Sequence, residues 1–433
     1  MKASNICASV LKFKNFCALS RQQLRYASFH KKKDECTSVK QYSSGGGERY
    51  RIYAFGLMEH GALGLKKEGS VTKRYIAKPV RHLFAEENCV VDVCCGFGFT
   101  AFAVNSKDTF KVYGCGVNTD KQISGEHYAT LTCPYPINLG IQNPQTRVKC
   151  MSAGRAHLAV VTDTEGVFLI GSNCYGQCGR PIDSEERRDG AFVVNCIKSL
   201  DNEPIEHVSC GQDHTLFLTC SGKVFACGWG ADGQTGLGHT KPECCPTRLG
   251  GDIEGQQIVQ VAGRSDTVLA LSKSGQVFGW GNNEYGQLSS AEKVEQINCP
   301  KCLTNLSKIG NVKDIAAGGT ACMVVNECGT VYVWGYGILG AGPQLEKTYE
   351  PIALPKPLFG GDSVTVEKVE CGLTYMAAIT SCSHLYTWGN NKSGALGVGH
   401  IKDQYFPYKV ALSAQAVKVS CGVDHTMVLC KPF

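Results

Sequence analysis

The last eighteen residues, Ala416–Phe433 (AVKVSCGVDHTMVLCKPF), repeat a phrase that occurs earlier as IEHVSCGQDHTLFLT over Ile205–Thr219. The earlier copy runs on through a Ser-Gly turn into KVFACGWGADGQTGLG (Lys223–Gly238), whereas the last copy stops. A matching continuation without a beginning stands near the other end, RIYAFGLMEHGALGL at Arg51–Leu65. A repeat begun at one end of a chain and completed by the other is the signature of a ring that closes on its own termini. An open solenoid has no need of it.

The ring can be counted. Glycines 96, 154, 211, 263, 318, 372 and 422 begin copies of the phrase, at spacings of 58, 57, 52, 55, 54 and 50 residues. Periods near 50, with Gly166, Gly222, Gly275 and Gly329 punctuating pairs of alternating segments, fit units of four short strands. The residue before each marker glycine is always Cys or Ala (Cys95, Ala153, Cys210, Ala262, Ala317, Cys371, Cys421). That restriction predicts a tight buried position, where glycine allows either positive φ or close backbone approach. A second glycine series follows at 116, 171, 228, 281, 335 and 389, with Gly56 supplied by the N-terminal fragment, and Trp280, Trp334, Trp388 or Phe55 often precedes it. The expected fold is all-β: a seven-bladed β-propeller over residues 50–433, closed by pairing of N- and C-terminal strands.

Residues 1–40 differ in kind. Met1–Lys33 holds eight of the chain's 44 Lys and Arg and no acid, and on a helix Val10, Phe13, Cys17 and Leu24 would form one stripe. Such a segment reads as a mitochondrial presequence, joined to the folded part by Ser43–Gly47; the plainer alternative is a basic tail. The 36 remaining basic residues face 38 acids, so the body carries about −2 and its bulk charge gives no argument for nucleic-acid binding. No run approaches 18 apolar residues, so no membrane span is expected.

These repeats resemble the regulator-of-chromosome-condensation family, with its V-x-x-G-x-x-H-T…G-x-V-x-x-W-G…G-x-L-G pattern. The resemblance covers roughly residues 50–433. In that family's nuclear exchange factor, acidic and histidine residues of the marker loop lie on the face that meets the GTPase. The matching positions here are Asp213, His214, Asp424 and His425, with His157 and Asp266 as weaker matches; the alternative is that the histidines are strand-start residues bonding their own blade. The nuclear factor also projects a hairpin wedge, which the one charged insertion here, Asp183–Asp189, does not match.

A leader of this type joined to this propeller is similar to the mitochondrial branch of the family. That similarity implies two roles in the matrix or at the matrix face of the inner membrane. One is guanine-nucleotide exchange toward a dynamin-related fusion GTPase. The other is service as an interaction platform in mitochondrial ribosome biogenesis, with assembly proteins and large-subunit ribosomal RNA as partners and peripheral contact with the membrane. The alternatives are a non-catalytic member of a protein–RNA module and a pure protein scaffold.

No site for covalent chemistry is read. GxGxxG at Gly228–Gly233 and Gly335–Gly340 falls in repeat turns rather than between a strand and a helix, and there is no GxxxxGK[ST], GxSxG or HExxH. Cys299 and Cys302 form a single CxxC without a second pair, so neither metal nor cofactor is expected.

Overall fold

A computed structural model of the chain describes residues 50–65, 74–105, 111–182, 192–289 and 294–433. The leader and the Asp183–Asp189 insertion therefore lie outside the described residues. Among those described, the strands form seven four-stranded antiparallel sheets. Six sheets take their strands consecutively from the chain, and we number these blades 1 to 6 from Val90–Cys95 onward. Blade 7 is composite, with order Tyr75–Arg81, Arg51–Leu57, His425–Lys431, Gln415–Cys421 from rim to axis.

The closing pair runs in unbroken register from Arg51 opposite Cys430 to Gly56 opposite His425. The Leu57 amide adds a bond to the Asp424 carbonyl at 2.7 Å, and the Tyr53 hydroxyl meets Ser413 Oγ at 2.8 Å across 360 residues of chain.

Burial explains why these sequences form blades. The second strands of blades 1 to 6, such as Phe99–Val104 and Thr267–Ser272, are buried at every position, and that of blade 7 at all but Lys431, because each sheet is covered on both faces by neighbouring blades. The core is accordingly a set of seams. Leu216, Val224 and Ala226 of blade 3, for example, pack against Val261, Val268 and Trp280 of blade 4. The outer strands are exposed and carry proline in six blades (Pro79, Pro134 and Pro136, Pro246, Pro300, Pro351, Pro407), while the seventh, Asn195–Ile197, is only three residues long. Both devices remove donors from a free edge and so oppose edge-to-edge pairing.

Polar staples cross the seams in two forms. Where a blade has Thr as the second residue of its second strand, that hydroxyl donates to a turn carbonyl of the preceding blade: Thr100 to Ala62, Thr215 to Gln177 and Thr426 to Ala395, at 2.7–2.8 Å. In blades 4 and 5 the facing tryptophan does the same task, Trp280 Nε1 to the Gln234 carbonyl and Trp334 Nε1 to that of Gln287. The cross-strand pairs show the exchange directly: Thr215 faces Cys227, whereas Val268 faces Trp280 and Cys322 faces Trp334.

Because the first and last strands share one sheet, the ends should act as one unit. Deleting Arg51–Leu65 is expected to lower the melting temperature sharply and to cause aggregation through the exposed edges of His425–Lys431 and Tyr75–Arg81. Deleting residues 1–40 is expected to leave melting nearly unchanged. Equal melting temperatures for the two deletions, measured by scanning calorimetry, would contradict the closure.

Candidate functional site

The two glycine series serve different ends. Gly228, with φ of +109°, sits where any side chain would lie 2.4 Å from the Asp213 carbonyl, and the six equivalent glycines share both the positive φ and a close approach to the backbone that opens their blade's second strand. The marker glycines stay out of the left-handed region. Gly211 is needed because a β-carbon there would lie 2.0 Å from the His214 ring. Gly154, Gly372 and Gly422 likewise receive the rings of His157, Tyr375 and His425.

Those rings form an inner tier, fully buried: His157, His214 and His425 are at most 1% exposed. Each opens the second strand of its blade and leans toward the next blade rather than bonding its own. His157 Nε2 meets Thr215 Oγ1 at 3.0 Å, His425 Nε2 meets Thr100 Oγ1 at 2.9 Å, and the Tyr375 hydroxyl meets Thr426 Oγ1 at 2.8 Å. His214 faces blade 4, where Val268 replaces the threonine, and neither of its ring nitrogens has a partner. Burial lowers His157 and His425 to about 3 and His214 to about 4. All three are neutral near pH 7 and take no charge to a partner.

Asp266 is not the blade-4 counterpart of these histidines. The turn Arg264-Ser265-Asp266 is one residue longer than its equivalents, so Thr267 opens the strand. Asp266 instead aligns with Asp213 and Asp424, because the carbonyls of all three accept the amide that follows the second glycine (Asn282, Trp229 and Leu57, 2.7–2.8 Å). The three aspartates thus share one face but differ in state. Asp213 is nearly buried and neutralised by Arg155, with Nη2–Oδ2 at 2.5 Å and Nε–Oδ1 at 3.1 Å. Asp266 accepts from Gln234 Nε2 at 2.9 Å, and burial, reinforced by the charges of Asp232 and Asp213, pushes it up to about 7. Asp424 is exposed.

Two aromatic pairs stand at blade seams, one of them beginning beside Asp213, whose carbonyl accepts the Trp229 amide. Tyr175 and Trp229 lie with ring centroids 4.6 Å apart at the seam of blades 2 and 3, and Tyr285 stacks on Tyr336 at 5.3 Å at the seam of blades 4 and 5. Trp229 is only half buried, unlike Trp280, Trp334 and Trp388 in the core.

Sequence reasoning missed Arg264. Its Nη1 donates to the carbonyls of Cys95 at 2.8 Å and Ala153 at 3.3 Å, and its Nη2 pairs with Glu370 at 3.3 Å. One side chain of blade 4 therefore joins blades 1, 2 and 6 across the axis. The only sequence signal was a long cation directly after a marker glycine.

The RCC1-like domain matches residues 51–428. This chain belongs to the RCC1-like family. It is 43% identical over 407 residues to the RCC1-like G exchanging factor-like protein of Mus musculus, covering 88% of each chain. The Homo sapiens protein of that name is 42% identical over 408 residues, covering 88% of this chain and 87% of its own. Among solved structures, human WBSCR16 superposes with a TM-score of 0.84 at 43% identity, over 89% of this chain and 99% of its own. Prp20p of Saccharomyces cerevisiae, studied with its binding to Gsp1p and histones, superposes at 0.72 over 90% of this chain and 93% of its own, and its 18% identity speaks for the fold alone. This RCC1-like chain is thus an exchange-factor-like propeller, with Asp213, Asp266 and Asp424 together on one of its loop faces.

The unpartnered histidine gives a pH test. His214 is held at about 4 in the folded chain, below an unfolded value near 6.5, so the unfolded state takes the proton first. Its contribution is complete above about pH 6.5 and is lost as pH falls toward 4. His214→Phe, which copies Phe99 of blade 1, escapes that loss. Its stability relative to the parent is expected to rise by about 1.4 kcal/mol for each pH unit between 6.5 and about 4 and to level off below that, read by urea unfolding. A pH-independent difference would show that His214 protonates freely.

Proposed function

We propose that this propeller is a guanine-nucleotide exchange factor for a dynamin-related fusion GTPase, directed by residues 1–40 to the mitochondrial matrix or the matrix face of the inner membrane. The observation that carries the reading is the acidic loop face on a rigid ring. Asp424 is exposed, and Asp266, raised to about 7 first by burial and then by the charges of Asp232 and Asp213, stands on the same face. A partner's lysine or magnesium site pressed against that face meets a competing anion while its nucleotide is released. Relatives named for exchange support the same class.

Asp213 is a poor place to probe this, because removing it strands the Arg155 guanidinium. Asp424→Ala combined with Asp266→Asn removes the Asp424 charge and the partly ionised Asp266 carboxyl and leaves the marker positions Cys210-Gly211 and Cys421-Gly422 untouched. The double variant is expected to lose at least about tenfold in accelerated GDP release, with melting unchanged. Wild-type protein that fails to accelerate release at catalytic amounts would overturn the proposal.

A second reading is favoured by the aromatic pairs. Tyr175–Trp229 and Tyr285–Tyr336 offer rings on which unpaired bases stack, so the chain would serve a module that supports large-subunit mitochondrial ribosomal RNA and ribosome assembly. In that case Trp229→Ala and Tyr336→Ala weaken capture of single-stranded RNA while GDP release is unaffected.

A further inference from the structure

The turns that follow the second glycines repeat one local geometry in blades 1 to 4. A buried glutamine, Gln122, Gln177, Gln234 or Gln287, accepts through Oε1 the amide of the residue two places before it, at 2.8–3.0 Å. The residue so held is Asp120, Tyr175, Asp232 and Tyr285 in turn. One position of the loop face therefore alternates acid and aromatic ring over four successive blades. Each tyrosine meets the residue that follows the second glycine of the next blade, Tyr175 against Trp229 and Tyr285 against Tyr336, and Tyr336 is 42% exposed. Glu126 and Glu284 stand exposed in the same turns. The cations described on these loops are mostly engaged. Arg155 is held by Asp213, Arg264 by Glu370 and backbone carbonyls at the axis, and Lys121 Nζ by the Glu126 carbonyl at 2.8 Å. Arg180 has a partner as well, and Lys241 is exposed. One further cation shows what such rings accept: Lys347 Nζ lies 4.5 Å over the centroid of Tyr349, whose ring packs on Gly286 beside Tyr285.

We propose that this arc is the docking surface for an arginine- and lysine-rich segment of a partner protein. Alternating carboxylates and rings match such a segment in two ways. The carboxylates pair with its charges, and the ring faces take guanidinium or ammonium groups through their quadrupole. Rings alone would also stack unpaired bases. Here Asp120, Glu126, Asp232 and Glu284 set carboxylates among them, so a phosphate backbone is repelled where a basic polypeptide is attracted. The buried glutamines fix the turns before any partner arrives, which spares the surface an ordering cost on binding. The inference needs none of Asp213, Asp266 and Asp424 and stands independently of exchange activity. It gives to a basic protein segment the rings that the reading through RNA gives to bases, and the two are separable by experiment.

Fluorescence anisotropy of a labelled arginine–glycine repeat peptide, titrated with the full chain, tests this. The peptide is expected to bind with an affinity that falls as salt rises, and a glutamate–glycine repeat is expected not to bind. Asp120→Asn with Asp232→Asn should weaken binding by more than about tenfold and flatten its salt dependence. Trp229→Ala with Tyr285→Ala should weaken it with the salt dependence kept, and Trp229→Phe with Tyr285→Phe should retain most of it. Glu254→Gln with Asp362→Asn, in the connections of the opposite face after the outer strands of blades 3 and 5, should leave binding as it was. All variants should melt alike. Absence of binding to the arginine–glycine peptide, or equal binding by the acid variants, would overturn the proposal. So would binding of oligouridylate that the ring variants lose while their peptide binding persists.

Discussion

The antiparallel pairing of Arg51–Leu57 with His425–Lys431 is the bond on which the other six blades depend. Six residue pairs tie the ends of the described chain, and the partner strand comes from the far end of the sequence. Such a contact carries a large loop-closure entropy, which is repaid only when the blades between it are already folded and packed. The ring therefore gains stability as a whole. Blade 7 has no complete sheet until the chain has gone round, and blade 1 has no covered face on that side until blade 7 exists.

The seams then share the load unevenly. Near the axis a side chain from the inner strand of one blade reaches the next blade: Asp92 accepts from the Met151 amide, Gln260 Nε2 donates to Asp314, Asp314 accepts from Val369, Lys368 donates to the Val417 carbonyl and Lys418 pairs with Asp92. Blade 3 presents His207 at the same level, and its Nδ1 has no partner. His214 of the same blade is unpartnered as well. The seam between blades 3 and 4 is held instead by apolar packing, by Trp280, by Gln212 Nε2 on Ser265 Oγ at 2.6 Å, by Gln234 Nε2 on Asp266 at 2.9 Å and by the Gly238 amide on the Asn298 carbonyl at 2.9 Å. Arg264 compensates from the axis, because its hydrogen bonds bind blade 4 to the opposite side of the ring.

Much of the fold was legible because repeats write local geometry many times over. The glycines, the small residues before them and the orphaned Arg51–Leu65 each report a backbone constraint that no tertiary context can waive. The candidate site was less legible, since its properties arise between residues more than 50 positions apart. Nothing in the phrase around His157 says that its acceptor is Thr215, and Val268 removes the same partner from His214 by one methyl-for-hydroxyl exchange. Equal spacing suggested that Asp266 stood in line with the histidines, but one extra turn residue shifts it into line with the aspartates. Asp213 and Asp424 look alike in sequence, yet Arg155, from another blade, neutralises the first alone.

Native-state hydrogen exchange along Arg51–Leu57 tests the closure most directly. If the ring opens only as a unit, the amides of this strand exchange with the same free energy and the same urea dependence as buried amides of Phe99–Val104 in blade 1 and Tyr375–Thr380 in blade 6. Exchange of Arg51–Leu57 through a local opening of much lower energy, while the interior strands stay protected, would show that the N-terminal strand merely rests against a ring that holds itself together.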